Sequence, residues 1–148
     1  MAGVIELSVD RPEDMRALGE GVGSLLDAGD VVSLTGDLGA GKTQFVRGLV
    51  RGLGGNPRSV SSPTFVLLNV YDTGRLSVYH LDAYRVGGAE DFETIGFTEL
   101  LDQGGVVIVE WPERVAELLP PGAIHVRIEP TGQMSRRIDI HTPGLLPD

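Results

Sequence analysis

Residues Gly36-Asp37-Leu38-Gly39-Ala40-Gly41-Lys42-Thr43 spell a complete G-x-x-x-x-G-K-T pattern. This is the strongest constraint in the chain, because it dictates how the backbone must run. Glycines let successive N–H groups turn inward around phosphate oxygens, Lys42 supplies a point charge for the β and γ phosphates, and the Thr43 hydroxyl can ligate Mg2+. The flanks agree with the pattern. Asp30 to Thr35 reads as a buried strand, and Gln44 to Leu53 sets Phe45, Val46, Leu49, Val50 and Leu53 on one helical face. Strand, glycine-rich turn and helix in that order predict a loop, Asp37 to Thr43, that wraps the phosphates of a nucleotide.

At 148 residues the chain is long enough for one domain, residues 1–148, with a core that needs no staples and little room for a lid. Cysteine is absent, which excludes disulfides, thiolate zinc sites and cysteine nucleophiles. Met1 to Glu6 lacks the basic and apolar regions of a signal peptide, and no apolar run approaches the ~18 residues of a membrane span. A cytoplasmic protein with no membrane association is therefore expected. The net charge of −9 bears on partners. Lys42 is the only lysine and the eleven arginines are scattered apart from Arg136-Arg137, so direct, tight binding to a nucleic acid backbone is not expected.

The remaining pattern alternates strands and helices. Val4 to Ser8 reads as a strand. Asp10 and Glu13 form a capping-box-like start for a helix with Met15, Leu18, Val22 and Leu25 on one face and Gly29 at its end. Phe65 to Tyr71 and Leu76 to Leu81 read as a hairpin turned at Asp72-Thr73-Gly74. Glu90 to Leu101 reads as a helix broken at Gly96, and Pro112 to Leu119 as a short helix. Val106 to Val109 is uninterruptedly apolar, as a strand covered on both faces must be. Ala123 to Glu129 and Ser135 to Thr142 form a closing antiparallel pair, and residues 143–148 a loose tail. The expected fold is α/β, a three-layer sandwich of the P-loop NTPase type. Its central sheet is expected to be mostly parallel with antiparallel flanking strands.

Ligands of open α/β sheets lie beyond the carboxyl ends of the strands. Two acidic residues stand there: Asp82 after Leu76 to Leu81, and Glu110 after Val106 to Val109. Phosphoryl chemistry needs one acidic group to hold Mg2+ directly or through water and another to orient or deprotonate the attacking water. Each residue alone could instead cap a following helix. Beside a phosphate-binding loop, the pair fits the chemical roles better.

Four segments carry a resemblance: Gly36 to Thr43, Ser62-Pro63-Thr64-Phe65, His80-Leu81-Asp82-Ala83-Tyr84-Arg85 and Glu110-Trp111-Pro112-Glu113. In order and spacing they resemble the motifs of the bacterial TsaE (YjeE) family. The resemblance implies an ATPase that acts with partner proteins, of the TsaD and TsaB type, in making N6-threonylcarbamoyladenosine at position 37 of tRNAs reading codons that begin with A. It reaches tRNA only indirectly. It further implies that Lys42 and the loop amides bind the phosphates of ATP, that Thr43 and Glu110 bind Mg2+, and that Asp82 and Lys42 serve catalysis. Ser62-Pro63-Thr64 resembles a switch-like loop in which Thr64 lies near the γ-phosphate, and Trp111 lies beside the nucleotide. The stretch from Asp10 to Asp14, near the adenine in that family, shows no sharp motif here.

Other readings compete at several positions. His80 can orient a neighbour or pack rather than transfer protons. Tyr84 and Arg85 can face a partner or the phosphates, and Trp111 can wall a pocket or fill core. His125 and His141 read as ordinary surface. A small kinase would add an arginine-rich lid, a GTP-dependent regulatory switch would add Asn-Lys-x-Asp, and neither signal is present. A pure nucleotide-binding module is the third alternative.

Overall fold

Apolar runs without polar alternation set the centre of the sheet. Val31–Thr35 and Val106–Glu110 pair in parallel, and every residue of the second strand is buried. The computed structural model describes residues 3–37, 40–61, 68–84, 89–94 and 96–142. In chain order the elements are β1 (Val4–Val9), α1 (Pro12–Ser24), β2 (Val31–Thr35), α2 (Lys42–Gly52), β3 (Leu68–Asp72), β4 (Ser77–Asp82), α3 (Ala89–Thr94), α4 (Phe97–Leu101), β5 (Val106–Glu110), β6 (Ile124–Pro130) and β7 (Arg136–His141). Among the described residues the strands form one sheet in the order β1-β7-β6-β2-β5-β4-β3.

The sheet is mixed. β6, β2, β5 and β4 are joined by three parallel pairings, whereas β1–β7, β7–β6 and β4–β3 are antiparallel. Parallel pairing is thus confined to the four central strands and makes up half of the ladder, not most of it. Alternate side chains feed two cores. Val32, Leu34, Val106, Ile108, Val126 and Ile138 pack under α1 and α2 with Met15, Phe45 and Leu49. Val31, Val107, Val109 and Leu81 meet Phe92, Phe97 and Val115 on the opposite face.

Three local expectations need correction. α1 starts on Pro12 with Arg11 as its N-cap and no side-chain capping bond, so the Asp10–Glu13 capping box does not form. Proline at the first helical position starts the helix because its fixed φ is already helical and its missing N–H would have had no partner. The helix also ends at Ser24, leaving Leu25 64% exposed, and Gly29 (φ +89°) serves the turn before β2 instead of a helix end. Pro112 to Leu119 is two 3-10 turns, Pro112–Arg114 and Ala116–Leu118, and not one α-helix. The break at Gly96 is present, with φ +93° between α3 and α4. The start of the expected strand at residues 65–67 and the tail at 143–148 lie outside the described residues.

Glycines on facing surfaces bring α1 and α2 together. A Cβ on Gly19 would lie 2.2 Å from the Phe45 carbonyl oxygen, on Gly23 2.2 Å from that of Leu49, on Gly48 1.9 Å from that of Arg16, and on Gly52 2.2 Å from that of Glu20. Pairs spaced four apart on each helix let the two backbones touch directly. The crossing fixes α2, and with it the loop that precedes it. Arg16 Nη1 adds a 2.8 Å hydrogen bond to Gln44 Oε1 across the same interface.

Candidate active site

The glycine-rich loop leaves β2 and enters α2 through Gly41, whose φ of +108° is one that a side chain would strain. Asp37 O accepts from Ala40 N at 3.0 Å, and Arg136 Nε on β7 donates to Ala40 O at 2.9 Å. An arginine from β7, which lies between β1 and β6, therefore steadies the loop backbone, a role its Arg136-Arg137 sequence context does not announce. Leu38 and Gly39 lie outside the described residues.

Lys42 opens α2 and is 7% exposed. Its Nζ stands 3.3 Å from Glu110 Oε1 and 4.6 Å from the centroid of the Trp111 ring. Glu110 ends β5 in register with Asp82 at the end of β4, and the backbone bond from Ala83 N to Glu110 O, 3.0 Å, holds the two strand ends together. Parallel pairing of β4 with β5 thus places both carboxylates side by side at the strand ends, and Glu110 is within reach of the loop lysine. Asp82 is 1% exposed. Its Oδ1 accepts from Tyr84 N at 2.7 Å, and its Oδ2 is buried with no hydrogen-bond partner among the described residues. A buried carboxylate oxygen without a partner costs free energy unless something else satisfies it.

Glu110 is doubly held. His80 Nε2 stands 2.5 Å from Glu110 Oε2, and since a carboxylate only accepts, this nitrogen donates. His80 Nδ1 lies 3.0 Å from Tyr71 Oη, and Tyr71 donates to Ser61 O at 2.9 Å. Burial pushes the Glu110 carboxyl up, but its hydrogen bond to His80 and the charges of His80 and Lys42 outweigh it, and its pKa lies below the ordinary glutamate value. Burial raises the Tyr71 hydroxyl above its ordinary value, the bonds to Ser61 and Asn69 working against it.

Trp111 turns the chain at the end of β5 with φ 57° and ψ 50°, the left-handed region that bulky side chains rarely adopt. Its ring meets Tyr84 at 4.9 Å between centroids, and Arg114 stacks on Tyr84 at 5.2 Å. Trp111 is partly buried against the second core and also stands beside Lys42 and next to Tyr84, which is half-exposed. Thr43 is half-buried one residue into α2. Thr64 and Arg85 lie outside the described residues.

His125 is more than plain surface, since its Nδ1 lies 2.5 Å from Ser33 Oγ, which is buried. A cleft of about 520 Å3 opens there, lined by Ser33, Thr35, Pro112, Glu113, His125 and Arg127 among others. It touches none of Lys42, Asp82 and Glu110. Among the described residues no helix is long and apolar enough to cross a membrane.

Hard divalent cations prefer oxygen donors. Two buried strand-end carboxylates, one with an unsatisfied oxygen and the other beside a lysine, supply oxygen donors of the kind such a cation takes. Among the described residues no cluster of three or more acidic, His or Cys side chains forms a metal site by itself. Fold and site together define an α/β protein in which a glycine-rich loop meets an acidic pair at adjacent strand ends. Residues 9–138 match the family profile of the threonylcarbamoyl adenosine biosynthesis protein TsaE. The chain belongs to the TsaE family. It is 44% identical over 128 residues to the tRNA threonylcarbamoyladenosine biosynthesis protein TsaE of Treponema pallidum, covering 86% of this chain and 93% of the relative. Its identity to the Bacillus subtilis protein of the same name is 38% over 133 residues, 90% of this chain and 82% of that one. The crystal structure of Bacillus subtilis YdiB superposes with a TM-score of 0.79 at 31% identity, covering 97% of this chain and 88% of that one.

Proposed function

We propose that this protein binds ATP with Mg2+ and hydrolyses it in support of threonylcarbamoyladenosine formation at A37 of tRNAs reading codons that begin with A. The observation that carries the reading is the contact of Lys42, at the end of the glycine-rich loop, with Glu110, beside which Asp82 stands in register with an unsatisfied Oδ2. The names of the relatives supply the pathway.

In this reading the loop amides from Asp37 to Thr43 and Lys42 hold the phosphates. Lys42 exchanges its bond with Glu110 for one with phosphate oxygens. Thr43 and Glu110 would hold Mg2+, which supplies charge neutralisation at the transferring phosphoryl group. Asp82 Oδ2 is the acceptor available to orient the attacking water. Trp111 and Tyr84 would wall the nucleotide, and the family resemblance assigns Thr64, which lies outside the described residues, to the γ-phosphate. ATP is favoured over GTP because the Asn-Lys-x-Asp signal for guanine is missing from the sequence.

The net charge of −9 disfavours direct binding to tRNA, and membership of the TsaE family points to partners of the TsaD and TsaB type in the cytoplasm. ATP turnover, measured on the purified chain alone and with those partners, tests the proposal. Slow turnover alone that rises in the complex is expected. Absence of turnover in both settings would contradict it.

A further inference from the structure

Glu110 presents its two oxygens to different groups. Oε1 faces Lys42 at 3.3 Å, and Oε2 takes the His80 hydrogen bond at 2.5 Å. A polyphosphate in the loop draws Lys42 away from Oε1, but it has no claim on His80, which is fully buried on β4. His80 is itself anchored. Its other ring nitrogen meets Tyr71 Oη at 3.0 Å across the β3–β4 ladder, where the rings lie 5.8 Å apart. The Tyr71 hydroxyl in turn donates to Ser61 O at 2.9 Å and accepts from Ser61 N at 3.3 Å. The line from Ser61 through Tyr71 and His80 to Glu110 is continuous, and none of its inner groups is exposed.

We infer that His80, anchored by Tyr71 to the Ser61 backbone, is the positioning residue that fixes the Glu110 carboxylate by Oε2, so that Oε1 is presented to a divalent cation once phosphate takes Lys42. The inference rests on the cation role proposed above for Glu110. A partner that orients a metal-binding carboxylate from behind typically governs metal affinity by about 10- to 100-fold. His80 touches neither nucleotide nor cation in this arrangement, and its effect passes entirely through Glu110.

Calorimetric titration with the non-hydrolysable imido analogue of ATP, in Mg2+ and in EDTA, separates cation presentation from phosphate binding. The quantity read is the gain in affinity on adding Mg2+. His80→Leu is expected to keep the affinity in EDTA and to lose about tenfold of the Mg2+ gain. His80→Gln, whose amide nitrogen can take the place of Nε2, is expected to recover most of it, and Tyr71→Phe to fall between. A folded His80→Leu protein with the full wild-type gain overturns the inference. Should His80→Leu fail to fold, Tyr71→Phe decides, and an undiminished gain in that variant overturns it equally. A wild-type protein that binds the analogue alike in Mg2+ and EDTA overturns the cation role of Glu110 and this inference with it, whereas variants indistinguishable from a Mg2+-responsive wild type overturn the inference alone.

Discussion

Lys42 Nζ and Glu110 Oε1 stand 3.3 Å apart, both side chains nearly buried, and the pair joins the glycine-rich loop to the end of the central strand β5. With His80 on its other oxygen, Glu110 is held as a carboxylate in spite of burial.

A pH dependence follows with a definite sign. A carboxylate whose folded pKa lies below its unfolded value contributes stability above the unfolded pKa and loses it as the pH falls through the folded one. Glu110→Gln should therefore be less stable than wild type near neutrality, by about 1–3 kcal/mol. The gap should narrow as the pH drops through and below the ordinary glutamate range. Urea unfolding at a series of pH values checks this, and a gap that widens on acidification would refute the ion-pair account.

Asp82→Asn separates binding from chemistry. The phosphate cradle does not include this side chain, so Mg2+-ATP affinity should change by less than about tenfold while turnover falls on the order of 100-fold or more. Because Asp82 Oδ2 is buried without a partner among the described residues, the variant should lose little or no stability. Steady-state turnover with partners, alongside a thermal melt, reads both quantities. Unchanged turnover would return Asp82 to the role of a local cap on the Tyr84 amide.

The α1–α2 crossing predicts opposite effects from one type of substitution. Gly48→Ala would place a Cβ 1.9 Å from the Arg16 carbonyl oxygen and should cost about 3 kcal/mol or more by forcing the helices apart. Gly21→Ala, on α1 with nothing within 4 Å, should stabilise by about 0.5–1 kcal/mol. Chemical denaturation of both variants tests the pair, and similar effects from the two would show that the glycines do not set the crossing.

Much of this architecture is legible in the residues because local chemistry and tertiary role coincide. The loop, the helix after it and the fully buried Val106 to Glu110 strand each carry a pattern that no other environment satisfies. Glu110 and Asp82 are legible by position at strand ends, although no local pattern reveals that β4 and β5 are neighbours in register. Strand partners far apart in sequence escape for the same reason. Nothing in Val4 to Val9 announces pairing with β7, and the even split between parallel and antiparallel ladders depends on it. The Asp10–Glu13 capping signal lost to Pro12, which starts the helix one position too late for Asp10 to cap. Arg136 and Tyr71 are not legible because their contacts to Ala40 and Ser61 exist only once the sheet has assembled, and His80 reads as a residue able to orient a neighbour without the sequence saying that the neighbour is Glu110.

Calorimetric titration of Mg2+-ATP into the wild-type chain and into Lys42→Ala tests the central claim most directly. Lys42 is the only lysine in the sequence and the cation that reaches from the loop to Glu110. The account predicts saturable binding by wild type and a loss of at least about 100-fold in the variant, about 2.7 kcal/mol. Wild-type affinity in Lys42→Ala would contradict the assignment of the loop as the nucleotide site.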